Sequence, residues 1–372
     1  MLFPTRPWAP AGDVQMQRRR SETSSQDEQR ERQTPPVTRP ASVPEDALCS
    51  VFEVRSDRAG MRLDRWLSLE LTRLTRSRAQ EIVSHFAFTA QGVALGPSHR
   101  VKAGEVIALY RPRWEEPPAP RDIGILYIDE HMVAVDKPAG LPVHPSAKFH
   151  HNTLTSVIAE RFPDERVVLA HRIDRETSGV ILLARSREAE RRLKQDFAER
   201  RVAKTYHALV HGVVGPDHQV IDAPMCLHGG EIGVKMAVRP VTRGGMPSVT
   251  RVDVIERLDG YTLVAAHPET GRQHQIRVHL AHVGHPLVGD KLYAHGDEMF
   301  LACLEGAPDE ARRKTLLLDR QALHAAEVTL THPIEKTSLT ISAPLPADLR
   351  AFCDERRGTT STASRKGDTP AR

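Results

Sequence analysis

Cysteine is scarce in this chain: four residues in 372, at Cys49, Cys226, Cys303 and Cys353, and never as a Cys-x-x-Cys pair. That spacing excludes the common structural zinc frameworks and a dithiol redox motif, and it suits a reducing cytoplasm. Long apolar runs are missing as well. The longest, such as Gly179 to Ala184, fall far short of the roughly 20 residues that cross a bilayer, so no membrane partner is expected. The N-terminus shows no apolar core of a secretory signal, and its acidic residues set it apart from an organellar transit peptide, which leaves the cytoplasm as the expected location. An excess of charge is absent too, because 52 Lys and Arg against 48 Asp and Glu leave a net +4. So small a value does not point to nucleic acid by itself, and the clustering of basic residues has to decide. No internal repeat is present, and no dinucleotide or methyl-donor glycine motif follows a strand, so no cofactor is expected.

What is present falls into segments. Residues 1–48 hold Arg18-Arg19-Arg20, polar runs and the prolines Pro35, Pro36, Pro40 and Pro44, with hardly any periodic apolar positions, and read as a disordered tail; residues 358–372 read the same way. Between 51 and 113, Leu63, Trp66, Leu67 and Leu74 share one helical face. Ser77 with Gln80 resembles a capping box for a second helix whose apolar positions are Ala79, Ile82, Val83 and Phe86. Short strands should follow up to Tyr110, with turns at Gln91-Gly92, Gly96-Pro97 and Ala103-Gly104. Arginines crowd this unit, and Arg62, Arg65, Arg73, Arg76 and Arg78 form a surface suited to phosphates, although arginines on helices are commonly only solvated charges. Residues 114–121, with Pro117, Pro118 and Pro120, make a stiff linker. From 122 to 353, short Val, Ile and Leu-rich strands alternate with a few helices without a regular strand-helix-strand rhythm. The expectation is an α+β fold with a large, mostly antiparallel mixed sheet and a small N-terminal α/β module.

The most informative stretch is Val167-Val-Leu-Ala-His-Arg-Ile-Asp-Arg-Glu-Thr-Ser-Gly-Val-Ile-Leu-Leu-Ala184, a strand, a polar loop and a strand. Asp174 is surrounded there by the donors His171, Arg172, Arg175, Thr177 and Ser178, which can hold a carboxylate ionised and aim it. Taken on spacing alone, an Asp capping a turn before Gly179 explains the residue as well. A serine hydrolase built on Ser178 is excluded, since the glycine two residues ahead of the serine is absent. His274, His279, His282 and His285 invite a metal reading, but no His-Glu-x-x-His pattern supports it and no metal is expected.

The stretch His171-Arg-Ile-Asp-Arg-Glu-Thr-Ser-Gly179 closely resembles the signature of RluA-type RNA pseudouridine synthases. Three further stretches resemble that family's motifs in order: Val133-Ala-Val-Asp-Lys-Pro-Ala-Gly-Leu-Pro-Val-His-Pro145, Lys204-Thr-Tyr-His-Ala-Leu-Val210 and Gly271-Arg-Gln-His-Gln-Ile-Arg-Val-His-Leu280. Residues 51–113 are similar to the S-four RNA-binding domain, departing from it at His85-Phe-Ala-Phe-Thr-Ala-Gln-Gly92. The resemblance implies a cofactor-free isomerase of uridine in structured RNA, large-subunit ribosomal RNA first and transfer RNA as the alternative; the oligomeric state stays open, with a monomer as the default expectation. It implies that Asp174 is the catalytic carboxylate, as nucleophile or as base, and that Arg277 pairs with it. Tyr206 then packs on the flipped uracil, and Arg172 fills the gap left by the extruded base. The rival reading is an RNA-binding or ribosome-assembly protein that keeps the fold without catalysis.

Overall fold

The computed structural model describes residues 36–71, 76–111, 116–146, 149–230, 232–306 and 308–357. They divide into two compact units, one up to Pro117 with Pro145–His150 and one from Pro118 to His144 and from His151 onward.

In the first unit, strands Leu48–Glu53 and Ala87–Thr89 flank Val106–Arg111, both antiparallel to it. Helices Leu63–Glu70 and Arg76–Phe86 lie over this sheet. The periodic apolar positions do what their spacing requires: Leu63, Trp66 and Leu67 meet Ala79, Ile82 and Val83 in one cluster with Ile107 and Leu109. Two expectations change here. Ser77 lies inside the second helix rather than capping it, and the Gln80 amide instead donates to Asp64 Oδ2 at 2.9 Å. A buried carboxylate offers a better acceptor than an exposed cap does. The N-terminal boundary also moves. Val43 and Ala47, placed in the expected tail, are buried against Phe88, Ala108 and Tyr110, and Thr38 N–H donates to the Ala90 carbonyl at 2.7 Å. Isolated apolar residues carry no periodicity, so nothing local announced this packing. The remainder of the expected tail (1–35), Leu74, Trp114 and residues 358–372 lie outside the described residues.

The second unit is built on a ten-stranded sheet. Its main path runs Gly124–Ile128, Met132–Lys137, Ser178–Ala184, Leu323–Thr331, Ala203–His211, Tyr261–Pro268, Val249–Leu258, His218–Asp222, with Val168–Leu169 pairing Ser178–Ala184 and Ser338–Ser342 pairing Leu323–Thr331. All pairings are antiparallel except Ser178–Ala184 with Leu323–Thr331, so the sheet is mixed and mostly antiparallel. The apolar run Gly179–Ala184 is the fully buried strand of this sheet. Ile181 and Leu183 face one core cluster, with Val135 and Leu154, while Val180, Leu182 and Ala184 face another, with Leu193 and Val328. Period-two alternation with both faces covered is why the run is apolar throughout. Among the described residues no helix is long and apolar enough to cross a membrane.

The parallel pairing is short, His324 to Ser178 and Ala325 to Gly179, and it depends on a glycine. Gly179 has φ +108°, and a Cβ there would lie 2.2 Å from the Ala325 carbonyl oxygen. Only glycine tolerates both the conformation and the approach. The close contact fixes the end of the strand, and with it the polar loop that precedes it.

Candidate active site

That loop, residues 170–177, is held from below by a buried lysine. Lys137 is fully buried, and its ammonium donates to the carbonyls of Pro138, Leu141 and Arg175 at 2.8, 2.9 and 3.0 Å. Burial, with the Arg320 charge behind it, pulls its pKa down to about 7. Glu176 anchors the far side, accepting both 2.9 Å hydrogen bonds from Lys291 Nζ. His171 is also structural: its Nε2 accepts from Leu182 N–H at 3.0 Å, and its ring stacks on Phe197 at 4.5 Å. Burial, then the Lys204 charge, lowers its pKa to about 3 and keeps it neutral.

Between these anchors stands Asp174, with Arg277 brought to it from 103 residues away. Arg277 Nη1 donates to Asp174 Oδ2 at 3.1 Å, with side-chain exposures of 8% for the arginine and 28% for the aspartate. Gln321 Nε2 donates to the same oxygen at 3.4 Å, and His274 Nε2 is 3.9 Å from it. The other oxygen, Oδ1, accepts no hydrogen bond among the described residues. The carboxylate is therefore gripped on one side and open on the other.

Arg277 is aimed by a residue that the sequence did not single out. Asp290, fully buried, takes Arg277 Nε at 2.7 Å and Nη2 at 2.9 Å. Its Oδ1 also accepts from Leu292 and Tyr293 N–H, each at 3.0 Å. The guanidinium lies over the Tyr293 ring, 4.9 Å from its centroid, and Tyr293 hydroxyl bonds His274 Nδ1 at 2.8 Å. Burial opposes the charge of both partners, but Asp290, with Asp174 behind it, outweighs this and holds the Arg277 pKa above its ordinary value. Reciprocally, against burial, Arg277 and the backbone N–H groups hold the Asp290 carboxyl below its ordinary range. The neighbouring residue, Lys291, is the one that fixes Glu176, so consecutive residues position the arginine and the aspartate loop. Their only sequence signal was a charged pair inside the apolar stretch Leu287-Val-Gly-Asp-Lys-Leu292.

Tyr206, half-buried, comes from the strand Ala203–His211 and lines the same cleft as exposed Arg172, half-buried Asp174 and buried Arg277. Burial, then the Asp174 charge, pushes the Tyr206 hydroxyl pKa well up, so it enters any reaction as the neutral phenol. The cleft holds about 440 Å³, within the range of roughly 300–1,000 Å³ for ligand clefts. Arg172, Arg200, Lys204, Arg272 and Arg277 line it against a single carboxylate, Asp174. His279, from the histidine group considered for metal, bonds Thr250 Oγ1 and the Ala223 carbonyl, each at 2.9 Å. Ser178 is buried, with Oγ 2.9 Å from His324 Nδ1 and the histidine's Nε2 3.2 Å from the Ala343 carbonyl, a closed structural pair.

The arginines of the first unit are placed differently. Arg62 chelates Asp64 with bonds of 3.1 and 3.0 Å, Arg76 lies 3.5 Å from the same carboxylate and Arg78 is 2.6 Å from Glu81. Arg65 is exposed, and Arg73 lies outside the described residues.

A half-open carboxylate fixed by a buried arginine, in a cleft whose other charged lining residues are cationic, is an arrangement suited to an enzyme acting on an anionic substrate. Comparison with known proteins specifies it. Residues 131–282 match the family model for RNA pseudouridylate synthase. The chain is 34% identical to ribosomal large subunit pseudouridine synthase D of Nitrosomonas europaea, over 79% of this chain and 84% of that one. It is 32% identical to ribosomal large subunit pseudouridine synthase C of Vibrio cholerae, over 82% and 96%. Among solved structures it resembles human RNA pseudouridylate synthase domain containing 4, at a TM-score of 0.51 and 27% identity, covering 63% of this chain and 93% of that one. The chain belongs to the RNA pseudouridine synthase family, with RNA as its partner.

Proposed function

We propose that this enzyme isomerises uridine in large-subunit ribosomal RNA, with Asp174 as the catalytic carboxylate. The observation that carries the residue assignment is the asymmetry of Asp174: Oδ2 held by Arg277 and Gln321, and Oδ1 open to the cleft. The reaction breaks the bond between ribose C1′ and uracil N1, turns the base and joins C1′ to C5, while the proton on C5 leaves and N1 gains one. The free Oδ1 serves either attack on C1′ or removal of the proton on C2′, and Arg277, bonded to Oδ2, holds the carboxyl group in place for both. Tyr206 offers a ring for the extracted uracil, and Arg172, exposed at the rim, fills the vacated stack by stacking and hydrogen bonding together. Unpairing costs a few kcal/mol, which favours a loop or bulge uridine.

The ribosomal target rests on the names of the relatives, and an S-four-type module spanning 51–113, with Arg62, Arg65, Arg73, Arg76 and Arg78 near RNA, rests on its motif order. A cytoplasmic monomer suits this work. Carbodiimide-dependent reverse-transcription stops on large-subunit RNA, from cells with and without the protein, test the target. A stop lost with the protein and restored by wild type supports it; an unchanged ribosomal map with a stop lost in transfer RNA overturns it.

A further inference from the structure

The turn after helix Arg187–Ala198 sorts its charges unevenly. Arg201 takes the carboxylates of that turn, pairing with Asp196 at 2.5 Å and also with Glu199. Arg200, held in the left-handed region at φ +60°, makes no ion pair with them and lines the cleft with Lys204. Among the described residues neither has a carboxylate within ion-pair distance, although Arg200 is close enough for its charge to add to burial in lowering the Lys204 pKa. A non-glycine residue at positive φ is strained, and two neighbouring cations repel each other, so the arrangement is one that an anion between them would relieve.

Lys204 is also in register with the aromatic. It lies two residues before Tyr206 on one strand, so both side chains leave the same face roughly 7 Å apart. That separation is comparable to the reach from a base to its own backbone phosphate. We propose that Arg200 and Lys204 form an anion site for the phosphodiester next to the extracted uridine, so that the enzyme grips backbone and base together and selects polymer over free nucleoside. The proposal rests on the synthase reading, which places uracil at Tyr206.

The test uses the full-length protein with Arg200→Ala, Lys204→Met and Lys204→Arg, whose melting temperatures report folding. Affinity for a fluorescein-labelled ten-residue oligouridylate is measured against salt, and kcat and KM are measured on ribosomal RNA. Each neutral substitution is expected to weaken binding and raise KM on the order of tenfold, to hold kcat, and to lower the salt slope by about 0.7 per contact; Lys204→Arg restores the slope. An unchanged slope and KM in folded variants overturns the anion site, as does a loss confined to kcat. If wild type itself forms no pseudouridine on ribosomal RNA, the target reading fails, while the oligouridylate slopes still decide the anion site.

Discussion

Each unit of this protein contains an aspartate bonded to an arginine, and the two pairs are built in opposite senses. In the first unit the carboxylate is hidden and the cation exposed: Asp64 is at 0% and Arg62 at 37%. Asp64 accepts from Arg62 and Gln80 and from Arg65 N–H, so both oxygens are occupied, and these bonds, Arg62 first, hold its carboxyl well below the ordinary range. In the second unit the cation is hidden, at 8%, and the carboxylate half-open, at 28%. A carboxylate with no free acceptor joins helices; one with a free oxygen at a cleft can react. The difference lies in which partner is buried, and it separates a fastener from a candidate catalyst.

The largest effect should come from the open carboxylate. Asp174→Asn keeps the shape and removes the charge, so turnover should fall by about 10⁴-fold or more, while RNA affinity stays within a few fold and the melting temperature hardly moves. Asp64→Asn should do the reverse, lowering thermal stability through lost charge-assisted bonds, on the order of 1–3 kcal/mol, with kcat retained by the folded protein. A kcat defect in Asp64→Asn would blur the distinction between the pairs.

Asp290→Ala probes the hidden cation. It leaves the buried guanidinium with Asp174 as its one remaining carboxylate partner among the described residues, at an expected cost of about 3 kcal/mol, seen in denaturant melts, and it should slow turnover because Arg277 loses its aim. Acid provides a milder test of the second unit. Burial lowers the pKa of His324 to about 4, against about 6.5 when unfolded. Between those values the unfolded chain binds more protons. Stability should therefore be full above pH 6.5 and fall as pH drops toward 4, by roughly 3 kcal/mol for this group; replacing it, as His324→Gln, should flatten that slope in pH-dependent melts. The smallest effect belongs to Arg65, exposed and without a carboxylate partner among the described residues. Arg65→Gln should weaken RNA binding by a few fold and reduce the salt slope by under one unit.

Much of this contrast could be read from the chain, and part of it could not. Asp174, Tyr206, Arg277 and Arg172 stand in local motifs, and the structure brings all four to one cleft. The mixed sheet was visible in its apolar strands. Asp290, Lys291 and Gln321 were not visible, because their meaning lies in partners 13, 115 and 147 residues away. Asp64 was hidden by its setting, since an Asp among arginines on a helix looks solvated until burial is known. Val43 and Ala47 belong to the first core through contacts that no periodicity marks.

The central claim is that the open oxygen of Asp174 does the chemistry. Single-turnover release of tritium from RNA carrying uridine labelled at C5, with enzyme and RNA fully bound, tests it most directly. The account predicts rapid release by wild type and none by Asp174→Asn at equal RNA occupancy; release by the variant at a comparable rate would contradict it.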